Sequence, residues 1–184
     1  MRRSKEDRKK QIIETAKTVF IKKGYDSATT AGIAKEADIA EVTLFRYFSS
    51  KRELFESIFR PFLNDSINNH VVLDKTESIE EQVFDLLDKK TEFINQHQGE
   101  IKLLLVEHER FDLRENYIAK MSDRVKHQLL DLNLHVDDTY HMRTLVGMFL
   151  SFLYFPAKTK EEKELYIKNI VDLLIERSDV GVNE

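Results

Sequence analysis

The sequence predicts an all-α fold of about nine helices, with a three-helix amino-terminal head containing a helix-turn-helix and a helical carboxy-terminal domain. Three observations carry this. Apolar residues recur at helical spacing almost without interruption, and no run alternates apolar and polar residues as a half-buried strand would. Two prolines and five glycines in 184 residues leave few places for the chain to break.

The first helix is expected from about Lys5 to Lys23, with Ile12, Ile13, Ala16, Val19 and Phe20 on one stripe and Gly24 as its terminating glycine. Thr29 or Thr30 caps a short second helix carrying Ile33, Ala34 and Ala37. Residues 38–40 turn into a third, Glu41 to Tyr47, barely two turns long. Ser50-Lys51-Arg52-Glu53 has the Ser-x-x-Glu form of a capping box and starts a fourth helix over 51–72, with Leu54, Phe55, Ile58, Phe59 and Phe62 inward and Pro61 kinking it. The polar stretch Asp74 to Ser78 is a boundary. After it comes a long amphipathic helix with Ile79, Val83, Leu86, Leu87 and Ile94 on one face, ending near Gln98-Gly99. Helices over about 100–110 and 114–132 follow, the latter with Tyr117, Met121, Val125 and Leu129 four residues apart. LVGMFLSFLYF, Leu145 to Phe155, is apolar nearly all round and is stopped by Pro156. Thr159-Lys160-Glu161-Glu162 opens the last helix, whose buried side is read as Leu165, Tyr166, Ile170, Leu173 and Leu174.

Composition removes whole classes of chemistry. There is no cysteine, so disulfides, thiolate zinc sites and cysteine nucleophiles are excluded. No Gly-rich phosphate loop, His-Glu-x-x-His or Gly-x-Ser-x-Gly occurs, so no enzyme and no cofactor are expected. Asp137, Asp138 and His141, and Glu107 with His108 near Phe111, lie at helix spacing but read as solvated faces, so no metal is expected. MRRSKEDRKK leads into no signal-type apolar run, and no stretch is apolar enough to span a bilayer, which predicts a cytoplasmic protein without a membrane partner.

The charge is unevenly placed. The chain has 29 Lys/Arg against 33 Asp/Glu, net −4, but residues 1–60 hold 14 against 9, net +5, which leaves 15 against 24, net −9, for 61–184. A basic head on an acidic body suits phosphate binding at one end. Two short helices joined by a tight turn and braced by longer ones place the second where it can enter a major groove. Ile33, Ala37, Ile39, Leu44 and Phe48 would form the shared core, leaving Thr43, Arg46 and Tyr47 outward. Arg46 can pair with a guanine edge or hold a phosphate, and Thr43 and Tyr47 offer hydroxyls. Lys51 stands at a helix start, which favours phosphate, and Arg2, Arg3 and Lys5 can reach along the neighbouring backbone or minor groove.

TTAGIAKEADIAEVTLFRYFSSKRELF resembles the DNA-binding signature of the tetracycline repressor (TetR) family, and the likeness spans residues 8–59. The paired threonines Thr29 and Thr30, Ile33-Ala34, Thr43-Leu44, Tyr47-Phe48 and Lys51 ahead of Leu54-Phe55 carry it. Three positions depart from the family pattern. Asp38 replaces the turn glycine, Ala40 the serine that caps the recognition helix, and Phe45 a tyrosine whose hydroxyl often touches phosphate. Glu41 suits the helix dipole and either reads a cytosine amino group or faces water.

The resemblance implies a bacterial one-component transcriptional regulator. It would be a repressor that binds a pseudo-palindromic double-stranded DNA operator as a homodimer and is released by a small-molecule inducer. It also implies a division into a DNA-binding domain, residues 1–50, and a regulatory ligand-binding and dimerisation domain, residues 51–184, with the helix over 51–72 as connector. The last two helices would pair across the two-fold axis. An all-round apolar helix supports that expectation, with Met142, Leu145, Val146, Phe149, Leu153, Tyr166, Ile170 and Leu174 as interface and Gly147 permitting close approach. Phe84, Phe93, Leu104, Phe111, Tyr117, Met121, Phe149 and Phe152 are the candidate walls of a ligand cavity, with His108 or Arg110 as polar anchors. An aromatic, mostly apolar cavity favours a hydrophobic inducer. The alternatives from other classes are a carboxylate-histidine metal-binding protein and a helical protein-interaction module, neither with operator function. Stoichiometric metal would mark the first, and the lack of salt-dependent DNA binding the second.

Overall fold

Capping side chains set where most of the helices begin. In the computed structural model, which describes residues 4–68, 71–107, 117–136 and 139–178, every regular element among those residues is a helix. They are α1 (Lys5–Ser27), α2 (Thr30–Glu36), α3 (Glu41–Phe45), α4 (Lys51–Asn68), α5 (Ile79–Gln96), α6 (Gln98–Glu107), α7 (Tyr117–Asp131), α8 (Tyr140–Tyr154) and α9 (Lys160–Ser178).

Ser4 and Asp7 make a reciprocal box at α1, and Ser78 and Glu81 make another at α5. The two boxes expected from sequence at α4 and α9 are shifted. Ser50 Oγ accepts from the Glu53 N–H at 3.0 Å, but the Glu53 carboxylate turns back one residue further, to the N–H and hydroxyl of Ser49. Likewise Thr159 Oγ1 accepts from the Glu162 N–H, while the Glu162 carboxylate takes the Lys158 N–H at 2.8 Å. Gly24, at φ 73 and ψ 170, breaks the helical path of α1 where a terminating glycine is expected. Pro61 lies inside α4 without ending it.

Two compact units result. One comprises Met1–Ser66 and Gly99–Arg114, the other Ile67–Gln98 and Glu115–Glu184. The first is built on Ile12, Ala16 and Phe20 of α1, Ile33 of α2, Leu44 of α3 and Leu54, Phe55 and Phe59 of α4, joined by Leu103 and Leu104 of α6. Its aromatic centre has Phe20 edge-on to Phe55 at 5.2 Å, with Phe59 4.4 Å beyond. Lys17 pairs with buried Glu100 at 2.7 Å, and Gly99 lies so close to α1 that a Cβ there would meet Ile21 Cγ2 at 2.6 Å. Gly99, inside α6, therefore serves close approach to α1, and the break between α5 and α6 falls at His97.

In the second unit α5 packs against α8 and α9, and α7 against α8. Leu86, Leu87, Ile94, Met121, Val125, Leu145, Met148, Phe149, Ile167 and Leu174 are among its buried residues. Lys163 ties α9 to α5 through Asp88 at 2.8 Å. Lys90 is buried, and burial followed by the charge of Arg124 holds its ammonium below the ordinary lysine value. The inner side of α9 differs from expectation. Ile167, Ile170, Val171 and Leu174 are buried, whereas Leu165 is 63% and Tyr166 39% exposed, and Ile79 at the start of α5 is also exposed. His141 and Glu107 are buried rather than solvated, and Asp137 and Asp138 lie outside the described residues. Among the described residues no helix is long and apolar enough to cross a membrane.

Candidate nucleic-acid interface

The tri-helical head fixes the 37–40 turn from several sides. Gln11 Nε2 of α1 donates to the Ala37 carbonyl at 2.9 Å, and the Ile39 N–H returns to the Ala34 carbonyl at 3.0 Å. Asp38 adopts φ 52, the left-handed conformation expected of the residue in the glycine place. α3 then starts from Ala40, whose methyl offers no side-chain cap. Part of that loss is offset from outside the helix. Glu41 Oε1 accepts the Thr30 hydroxyl proton at 2.6 Å, so the first residues of α2 and α3 are joined. Thr29 caps α2 by accepting the Gly32 N–H at 3.0 Å. Its own hydroxyl proton stays available to a phosphate. A Cβ at Gly32 would meet Thr29 Oγ1 at 2.9 Å, so the glycine protects that cap.

With Leu44 buried in the head, the 3.6-residue period sends Val42 and Arg46, two residues to either side of it, outward together, and Phe45 between them and Leu44 is exposed as well. Val42 is 71% and Phe45 45% exposed, and Arg46 beside them is exposed with no described residue holding its guanidinium. Thr43 lies half-buried on the flank of this face. Tyr47 differs from the expected outward position: α3 ends at Phe45, and the ring is half-buried against the head's core. Val42 is not among the residues that side-chain chemistry singles out in the sequence. The helical period anchored on Leu44 is the signal that finds it.

Lys51 is engaged with protein. Its Nζ donates to the carbonyls of Tyr25 at 2.9 Å and Ala28 at 3.0 Å, lies 3.4 Å from that of Asp26, and stands 4.3 Å from the Tyr25 ring centroid. Three ammonium protons thus face three carbonyls, and the side chain ties the start of α4 to the segment between α1 and α2. Arg2 and Arg3 lie outside the described residues.

The candidate ligand residues fall into both units. Leu104 belongs to the core of the first. In the second, Met121, Phe149 and Phe152 are buried and Phe84 and Phe93 half-buried, with Phe93 4.5 Å from the His97 ring. His108, Arg110 and Phe111 and the Tyr117 side chain lie outside what is described. Of the expected interface residues, Leu145, Phe149, Leu153, Ile170 and Leu174 are buried within the protomer itself. Met142 and Val146 are half-buried and Gly147 is exposed, with nothing within 4 Å of a Cβ placed on it. Tyr154, Phe155, Leu165 and Tyr166 add exposed apolar surface, and Tyr166 rests on Phe152 at 5.4 Å.

Residues 12–58 match the family model for bacterial regulatory proteins of the tetR family. The uncharacterized HTH-type transcriptional regulator YvkB of Bacillus subtilis (strain 168) is 30% identical over 125 residues, 66% of this chain and 64% of that protein. The HTH-type negative transcriptional regulator IcaR of the biofilm operon icaADBC in Staphylococcus aureus is 34% identical over 70 residues, 38% of this chain and 37% of its own. The chain thus spans less than two thirds of these relatives. Among solved structures, a tetR-family transcriptional regulator from Streptomyces coelicolor superposes with a TM-score of 0.69 at 16% identity, over 97% of this chain and 84% of that one. The fatty acid degradation regulator FadR from Bacillus halodurans gives 0.61 at 18% identity, over 95% and 97%.

Proposed function

The chain belongs to the tetR family of bacterial regulatory proteins, and from that premise we propose that it regulates transcription by binding a pseudo-palindromic DNA operator as a homodimer. The observation that carries this is the outward face of α3. There Arg46, unengaged among the described residues, stands beside two exposed apolar side chains on a helix fixed by Gln11, Glu41 and Leu44. Arg46 is assigned base reading, Thr43 and Tyr47 the flank of the groove, and Thr29 a phosphate. Arg2 and Arg3 are assigned the adjacent backbone or minor groove. Thr30 and Glu41 hold each other, so their contribution is to set α3 against α2. Lys51 acts through the segment it binds.

The regulatory half of the proposal rests on the second unit. An inducer with an apolar body would lie among Phe84, Phe93, Met121, Phe149 and Phe152, and its effect would pass to the head along α4. Repression, rather than activation, is supported by the relative named as a negative regulator. Dimerisation would use the surface that α8 and α9 leave uncovered, namely Met142, Val146, Gly147, Leu165 and Tyr166, with the buried members of these helices backing it.

Sequencing the fragments that the purified protein selects from its own genomic DNA tests the proposal. The expected result is a shared inverted repeat whose half-sites lie one helical turn, or a multiple of it, apart. Recovery without any common sequence would overturn it.

A further inference from the structure

Val42 is a large apolar side chain held mostly in water at the second position of α3, on the same face as Arg46 and Phe45. Nothing among the described residues explains it. The head's core is complete without Val42, since Leu44 and Phe48 fill that side. An aliphatic group on a helix face that enters a major groove has one complementary feature there, the 5-methyl of thymine, because the other features that distinguish the bases in that groove are hydrogen-bond donors or acceptors.

We infer that Val42, aided by Phe45, is a specificity-determining residue that selects thymine by apolar contact with its methyl group, within the half-site whose guanine or phosphate Arg46 engages. This rests on the operator reading above. The geometry favours it in two further ways. The branched valine side chain has a single rotatable bond, so little freedom is lost on contact. The Thr30–Glu41 bond and the Asp38 turn fix the start of α3, so the position of Val42 is set before DNA arrives. Polar reading at the same place would require a donor or acceptor that Val42 lacks.

The test uses the whole protein and a duplex selected by it from a random pool. Each thymine is replaced singly by deoxyuridine, which removes the methyl and leaves every hydrogen bond of the base pair unchanged. One thymine in each half-site should show roughly fourfold weaker binding on replacement, the worth of about one buried methyl group. In Val42→Ala the same replacement should change affinity by less than about twofold. Because Val42 is exposed, this variant should melt as the parent does. Phe45→Ala should shrink the effect of deoxyuridine at the same or the adjacent thymine. If no thymine is sensitive in the parent protein while the selected duplex still outcompetes a scrambled one, this inference falls and the operator reading stands. Sensitivity that persists undiminished in Val42→Ala also overturns it. If no duplex is preferred over scrambled DNA, the operator reading itself has failed.

Discussion

Replacing Lys51 by methionine keeps much of the length of the side chain and deletes its ammonium, leaving the carbonyls of Tyr25 and Ala28 without the donor they hold at 2.9 and 3.0 Å. A hydrogen bond to a charged donor contributes about 1.5–3 kcal/mol when well buried, and about 1 kcal/mol is appropriate for each of these half-buried contacts. The 3.4 Å approach to the exposed Asp26 carbonyl adds little. Loss of the cation from the Tyr25 face adds about 0.5–1 kcal/mol. The sum, roughly 2–3 kcal/mol, corresponds to a melting temperature lower by about 4–12 °C for a chain of this size. Circular dichroism melts measure that. Salt titrations of DNA affinity, well below the melting transition, measure the other side of the question. A residue that neutralises one phosphate steepens the dependence of log affinity on log salt by about one. The expected result is a lower melting temperature with an unchanged salt slope. An unchanged melting temperature with a slope shallower by about two, one for each protomer of the dimer, would show Lys51 to be a phosphate contact and would refute the structural role.

Arg46→Ala should weaken operator binding about 10–100-fold while leaving the melting curve unchanged, since the exposed guanidinium has no hydrogen-bond or ion-pair partner among the described residues. Asp38→Gly should raise stability by roughly 0.5 kcal/mol in denaturant titrations, because the residue at φ 52 is relieved of its left-handed strain. Gly99→Ala should lower stability by about 1–3 kcal/mol despite its better helix propensity, as the new methyl would meet Ile21 at 2.6 Å. Hydrogen bonds from Ser49 hold the Glu53 carboxyl below its ordinary value. With the folded pKa depressed, this contribution is complete above the unfolded value and is lost as pH falls through the folded one. Glu53→Gln should therefore flatten the acid limb of stability against pH.

The helices and much of the head are readable in the sequence because their signals are local. The Thr29 cap, Gly24 at the end of α1 and Asp38 in the turn each act within a few residues. Local patterns fail where two backbone donors lie within reach of one carboxylate. The N–H of the cap residue and that of the residue before it compete for the glutamate, and a Ser-x-x-Glu pattern does not encode which wins. At α4 the Glu53 carboxylate takes the N–H of Ser49 rather than that of Ser50, and at α9 the Glu162 carboxylate takes the N–H of Lys158, ahead of Thr159.

The candidate site is legible in part. Leu44 inside and Arg46 outside follow from the helical period, and the same period places Val42 outward, whereas it sets Phe45 and Thr43 equally to either side of Leu44 and does not decide that Phe45 is the more exposed. Weighing side chains by their hydrogen-bonding chemistry instead favours Thr43 and Tyr47, which the short α3 leaves half-buried. The engagement of Lys51 cannot be read from spacing, because its partners lie more than 20 residues earlier in the chain. In α9 the apolar residues cover more than one face, so sequence alone does not decide whether Leu165 or Ile167 turns inward.

The most direct test of the central claim is the affinity of the purified whole protein for a genome-selected duplex and for a scrambled duplex of equal length, measured across a range of salt. The selected duplex should bind at least about a thousandfold more tightly near physiological salt, and both affinities should fall linearly in log–log form as salt rises. Equal affinity for the two duplexes, or binding indifferent to salt, would contradict the claim.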